Sequence, residues 1–239
     1  MNPDQLTRFE TPESLAETAA REWLQDLSTR ASRDTPYAVA LSGGRITRTF
    51  FEAVVHLAAS AHCDFEQVHF FWADDRCVGP DDDDSNFKLA DALLFQPLNI
   101  APEKIHRIRG ELEPDRAAKQ SSKDLENFFA SRPEDQRRFD MIFLGMGEDG
   151  HTASLFPGES EEVMSDPAPY RAVVATKPPP NRITLGYGVI KDANEVVALI
   201  SGSGKADVLK ESLSDKPTTP MGRVIKSREG IRILTDIQF

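Results

Sequence analysis

The chain has 239 residues, with 28 Lys and Arg against 39 Asp and Glu, for a formal net charge of −11. That balance argues against nucleic acid or an anionic membrane surface as the main partner. Hydrophobic residues make up 39% of the chain, enough to fill a core, yet no apolar stretch nears the roughly 20 residues of a membrane helix. One of the longest unbroken apolar runs is Val196 to Ile200. With roughly 150 residues per domain as a soft guide, the length allows one or two domains. No linker-like segment divides the chain, so one α/β domain over residues 1–239 is expected. The start, Met1 to Glu10, has neither a basic beginning nor an apolar centre, so no secretory signal is expected. Cys63 and Cys77 match neither a disulfide framework nor a metal-ligand spacing. They read as reduced thiols, and the expected compartment is the cytoplasm.

Apolar runs alternate with helix-period segments along the chain, the pattern of parallel strands joined by crossover helices. The first helix is signalled by Thr11 as cap, Pro12 at its first position and a stripe of Leu15, Ala19, Trp23 and Leu27, ending near Arg30. Strands are predicted at 37–41, 68–73, 141–144, 172–176, 182–185, 196–201 and 231–235. Helices are predicted at 47–61, 85–94, 114–130 and 205–213. In an open α/β sheet the ligand sits beyond the carboxyl ends of the strands, so the residues following each strand carry the information.

After the first predicted strand, Ser42-Gly43-Gly44-Arg45-Ile46-Thr47 opens a helix. The diglycine either makes a tight turn or lets backbone N–H groups approach an anion such as phosphate. After the second come Asp74, Asp75 and Arg76, charges costly to desolvate at a strand end unless they pair or meet a ligand. The acidic run Asp81 to Asp84 reads as solvated. Asp84 or Ser85 would cap the next helix, and the residues at the glycine and glutamate positions of a calcium loop, Asn86 and Ala92, do not fit.

After the third strand, Gly145 to Gly150 satisfies G-x-G-x-x-G. A dinucleotide site needs a long helix next, and Pro157-Gly158 interrupts it. His151 lies two residues from Asp149 in this loosened loop, where a general base with a carboxylate orienter could be built, or where a surface histidine simply sits. Two later segments add cations: Arg182, after Lys177-Pro178-Pro179-Pro180-Asn181, and Lys205, in Gly202-Ser203-Gly204-Lys205-Ala206. In so acidic a chain, Arg45, Arg76, Arg182 and Lys205 all falling at element starts points to a small phosphorylated ligand.

Together these segments resemble the 6-phosphogluconolactonase family, within the wider group that includes glucosamine-6-phosphate deaminase. The resemblance rests on Leu41-Ser42-Gly43-Gly44, the Asp-acidic-Arg segment followed by Ser85-Asn86-Phe87, the Gly145 to Gly158 block with Gly-His-Thr-Ala-Ser-Leu-Phe-Pro, Arg182-Ile183-Thr184-Leu185 and Gly202 to Ala206. It implies a Rossmann-like, mostly parallel sheet flanked by helices and hydrolysis of 6-phosphoglucono-δ-lactone in the pentose phosphate pathway. It implies no metal, no cofactor and no obligate protein partner. The deaminase pattern continues after its histidine toward an Asn-Glu pair, whereas Thr152 to Pro157 follow here. A phosphosugar sensor without catalysis is the remaining alternative. Two departures stand out: Arg45-Ile46 where the family often has Ser or Thr and then Pro, and Asp75 where Glu is usual.

Carried onto this chain, the resemblance implies His151 as base for a water and Asp149 as the group orienting its ring. Arg76 would face the developing oxyanion, and Glu148 is the rival orienter. Ser42, Gly43, Gly44, Arg45, Asp74, Arg182 and Lys205 would form the substrate- and phosphate-binding set.

Overall fold

The computed structural model describes residues 6–30, 35–61 and 63–239. Met1 to Gln5, part of the stretch read above for a secretory signal, lie outside them. In chain order the elements are β1 (Leu6–Arg8), α1 (Pro12–Arg30), β2 (Tyr37–Leu41), α2 (Arg45–Ala61), β3 (Val68–Trp72), β4 (Asp74–Arg76) and α3 (Asn86–Ala90). A π-helical turn (Asp91–Phe95), α4 (Gln96–Leu98), α5 (Pro114–Ala130), β5 (Met141–Leu144), α6 (Glu161–Met164), β6 (Tyr170–Val174) and β7 (Asn181–Leu185) follow. The last are α7 (Tyr187–Asp192), β8 (Glu195–Ile200), α8 (Ala206–Ser212), α9 (Pro220–Ser227) and β9 (Ile231–Thr235).

Six strands form one parallel sheet in the order β1-β9-β8-β5-β2-β3. Helices cover its faces, so β2 and β5 are buried along their whole length and read as continuous apolar runs. The α/β class and the parallel sheet agree with the sequence reading. Helix α1 starts where capping chemistry places it: Ser14 N–H donates to Thr11 Oγ1 at 3.1 Å, and Thr11 N–H donates back to Ser14 Oγ at 3.3 Å. Its stripe lays Trp23 against Phe143 of β5 and Phe50 of α2, with ring centroids 5.4 and 5.9 Å away. Burying such rings is the main apolar contribution to this layer.

Three features correct the expectation. Strands β6 and β7, together with Asp74–Arg76, form a separate antiparallel sheet in the order β4-β7-β6. Asp74 to Arg76 is therefore a short strand rather than a loop, recruited by pairing with β7 despite its charges. The helix predicted at 85–94 runs on to Leu98 and takes in the π turn, while β1, α6, α7 and α9 lie outside the predicted elements, although Thr219 caps α9 and Pro220 opens it as Thr11 and Pro12 do α1.

The chain runs from β2 outward to β3, then returns to β5 on the other side of β2 and continues to β8 and β9. The strand order thus reverses between β2 and β5, and the crevice beyond their carboxyl ends is where such folds bind ligands. At the opposite end, buried Asp140 accepts hydrogen bonds from Ala38 N–H, Arg132 Nη2 and Arg30 Nη1 at 2.9, 3.0 and 3.1 Å.

Candidate active site

A cavity of about 510 Å³ opens at that reversal point. The β2–α2 turn forms one wall. Ser42 is buried and donates its hydroxyl to Phe143 O at 2.9 Å, and Thr47 Oγ1 donates to Gly43 O at 3.0 Å. Gly43 has to lack a side chain, because a Cβ there would lie 1.8 Å from Asn86 Oδ1. Gly44 has φ +112°, a conformation open to glycine.

The β5 loop forms the floor. Gly147 N–H donates to His151 O at 2.9 Å and Gly150 N–H to Gly147 O at 3.1 Å, closing a turn that presents His151. Asp149 Oδ1 accepts from His151 N–H at 3.1 Å and lies 2.5 Å from His151 Nδ1. Burial raises the Asp149 carboxyl, but the His151 backbone N–H and ring together outweigh it and hold the group below its usual value. An ionised carboxylate only accepts, so Nδ1 carries the hydrogen and Nε2 is left as the basic atom of the neutral ring. Glu148 lies instead toward the Gly204 turn.

The antiparallel sheet supplies the far wall. Arg76 and Arg182 are register partners on β4 and β7. Arg76 Nη1 donates to Asp84 O at 2.7 Å, and Arg182 Nε to Pro179 O at 3.2 Å. Burial first, and then the neighbouring Arg76 charge, lower the Arg182 pKa. Buried Asp74 accepts the Ser154 hydroxyl on Oδ2 at 2.7 Å. Lys205 ends the turn after β8, and burial lowers its pKa, with Arg45 acting in the same direction. Among the described residues, Arg45, Arg76, Arg182 and Lys205 form no ion pair with a carboxylate. Four cations without ion-pair partners line a cavity that also carries Asp74 and Asp236, and cations so placed suit it to an anion.

Of the residues expected from the sequence, Ser42, Gly43, Gly44, Arg45, Asp74, Arg76, His151, Arg182 and Lys205 all line this cavity, and Asp149 stands behind His151. Asp75 does not line it. Its carboxylate accepts from the backbone N–H groups of Asn86, Arg76 and Phe87 at 2.7, 2.8 and 3.1 Å, tying β4 to the start of α3. Burial pushes its pKa up to about 6 against those three donors. Ser85 caps α3 by accepting Lys88 N–H.

Asn86 and Asp236 also line the cavity, and the sequence reading gave neither a site role. Asn86 packs on Gly43 and donates to Asp74 O at 2.9 Å. Asp236, directly after β9, accepts from Ser201 Oγ at 2.8 Å and Gly202 N–H at 3.0 Å. The strand-end rule applied to 231–235 would have pointed to it. The helix that follows Gly150 is the short α6 (Glu161–Met164).

The fold and cavity define an α/β protein with a cation-lined crevice at the carboxyl ends of its parallel strands, and comparison with known proteins makes the assignment specific. The sequence profile described as glucosamine-6-phosphate isomerases/6-phosphogluconolactonase matches residues 10–233, and the chain belongs to this family. It is 39% identical over 182 residues to 6-phosphogluconolactonase of Treponema pallidum, covering 74% of this chain and 72% of that one. It is 33% identical over 224 residues to the Haemophilus influenzae 6-phosphogluconolactonase, covering 90% and 91%. The crystal structure of a 6-phosphogluconolactonase from Shewanella baltica superposes with a TM-score of 0.83 at 25% identity, covering 98% of each chain. No helix among the described residues is long and apolar enough to cross a membrane.

Proposed function

We propose that this chain, acting as a single α/β domain in the cytosol, hydrolyses 6-phosphoglucono-δ-lactone to 6-phosphogluconate. The observation that carries this reading is His151, backed by Asp149, sharing one cavity with four cations that form no ion pair among the described residues. A lactone needs a positioned water, a base and a partner for the carbonyl oxygen as it becomes negative. Nε2 of His151 takes a proton from the water as its oxygen bonds to the lactone carbonyl carbon. Asp149 keeps the proton on Nδ1 and stabilises the imidazolium that forms.

Arg76 faces the oxyanion. When the intermediate collapses, the bond from carbon to ring oxygen breaks and His151 returns the proton to that oxygen, leaving a free hydroxyl and a carboxylic acid that loses its proton to solvent to become the carboxylate. Arg182, Lys205 and the Ser42–Gly44 backbone hold the phosphate, and Asp74 is placed to accept a sugar hydroxyl. Binding a group remote from the reacting carbon positions the ring for attack.

The test generates the δ-lactone from glucose 6-phosphate with an added dehydrogenase and follows 6-phosphogluconate with its own dehydrogenase. Hydrolysis well above the spontaneous rate is expected. Ligand-induced thermal stabilisation by phosphosugars with no acceleration would identify a sensor instead.

A further inference from the structure

The chain turns sharply between His151 and Phe156. Leu155 N–H donates to Thr152 O at 2.9 Å, and Ala153 inside the turn has φ +48°, a conformation unfavourable for a residue with a Cβ. Such a backbone persists only where its surroundings hold it. Here buried polar groups do so: Thr152 Oγ1 donates to Gly145 O at 2.8 Å, Ser154 Oγ to Asp74 Oδ2 at 2.7 Å and Ser154 N–H to Thr184 Oγ1 at 3.1 Å. On the other side of Phe156, Glu159 pairs with Arg171 of β6 at 2.7 Å, both side chains largely buried. The segment carrying Phe156 is thus pinned at both ends.

The turn brings the Phe156 ring back beside His151, with ring centroids 5.1 Å apart and planes at 44°. Cζ of Arg182 lies 5.8 Å from the centroid of the same ring. One half-buried aromatic side chain therefore borders both the base and a cation of the far wall. Asp149 holds His151 at Nδ1, and Gly147 leaves room for the ring. A hydrogen bond at one ring atom sets the tautomer but does not stop the ring from tilting, which a packed neighbour does. At this separation an aromatic ring also attracts a cation through its quadrupole, so it favours His151 in the imidazolium form that proton abstraction creates.

We propose that Phe156 is a positioning residue for the base: it holds the His151 ring toward the cavity and stabilises the imidazolium formed during water attack, a task an aliphatic side chain of similar size does not perform. This deepens the lactonase reading and rests on it for the reaction served; the ring contact itself is tested without turnover.

Wild type, Phe156→Leu, Phe156→Met and Phe156→Tyr are compared in the coupled lactone assay, in thermal unfolding and by proton–carbon NMR of the histidine rings, with His151→Gln identifying the His151 signals. In wild type the His151 ring protons are expected to be displaced by the Phe156 ring current, and in Phe156→Leu to return toward ordinary histidine positions. In Phe156→Leu and Phe156→Met kcat falls roughly threefold to 30-fold while KM changes by less than about twofold, and Phe156→Tyr recovers most of the loss. A space-filling role alone predicts full kcat in Leu and Met variants that melt as wild type does. That result, or undisplaced His151 ring protons in wild type, overturns the proposal. If wild type hydrolyses no lactone while the displacement is present and is lost in Phe156→Leu, the lactonase reading falls and the positioning of His151 by Phe156 stands.

Discussion

His151 owes its place to a missing side chain. A Cβ on Gly147 would lie 2.1 Å from His151 Cε1, 2.2 Å from Nδ1 and 2.9 Å from Asp149 Oδ1, so the glycine makes room for the ring and its carboxylate together. Gly147→Ala is expected to lower kcat by up to roughly 100-fold through misplacement of the ring, while circular dichroism shows the fold retained. Lys205→Ala is expected to act on KM, because its charge is remote from the reacting carbon. Equal kcat and KM effects in a steady-state assay would place Lys205 at the reaction instead. The sequence made the glycine-loosened loop and the nearness of Asp149 to His151 readable. It did not decide between Glu148 and Asp149, because that depends on the Gly147 N–H to His151 O closure that turns one carboxylate toward the ring and the other toward Gly204.

Among the elements, Asp74–Arg76 shows where sequence reading stops. Three charged residues have no intrinsic strand preference, and only pairing with β7 makes them one. The π turn at Asp91–Phe95 is similarly hidden, since helical periodicity does not register one extra residue in a turn. The β8–α8 turn depends on Asp236, and Asp236→Ala is expected to raise KM in the same direction as Lys205→Ala while leaving the pH dependence of kcat in place, which pH-rate profiles check.

On β3, His69 Nδ1 lies 2.9 Å from His106 Nε2. Burial, helped by the charges of His106, Lys104 and Arg132, lowers His69 to about 4. A folded-state pKa below the unfolded value of about 6.5 means that the folded state resists protonation. This contribution is fully present above about pH 6.5 and is lost as pH falls from there through about 4. Urea midpoints should therefore drop between pH 7 and pH 4.5 more steeply in wild type than in His69→Gln; equal slopes would remove His69 from the account.

At the level of the whole molecule the architecture was the most legible part. Apolar runs such as Tyr37–Leu41 and Met141–Leu144 announce buried parallel strands, and a parallel sheet places ligand groups at their carboxyl ends. The strand order and the detached antiparallel sheet were not legible, because pairing partners are set by tertiary packing. Function and stability are divided between the two ends of the sheet. Asp140, at the end away from the cavity, joins β2, Arg30 and Arg132, and its removal leaves two arginines without that partner. Asp140→Ala is expected to cost about 3–5 kcal/mol by denaturant unfolding, with kcat per folded molecule preserved.

The central claim is that His151 is the base for water attack on a phosphorylated lactone. The most direct measurement compares wild type with His151→Ala in the coupled lactone assay at saturating substrate. The account predicts a kcat lower by about 10²–10⁴-fold in the variant, with inorganic phosphate still bound as in wild type. Equal turnover in the two proteins would contradict it.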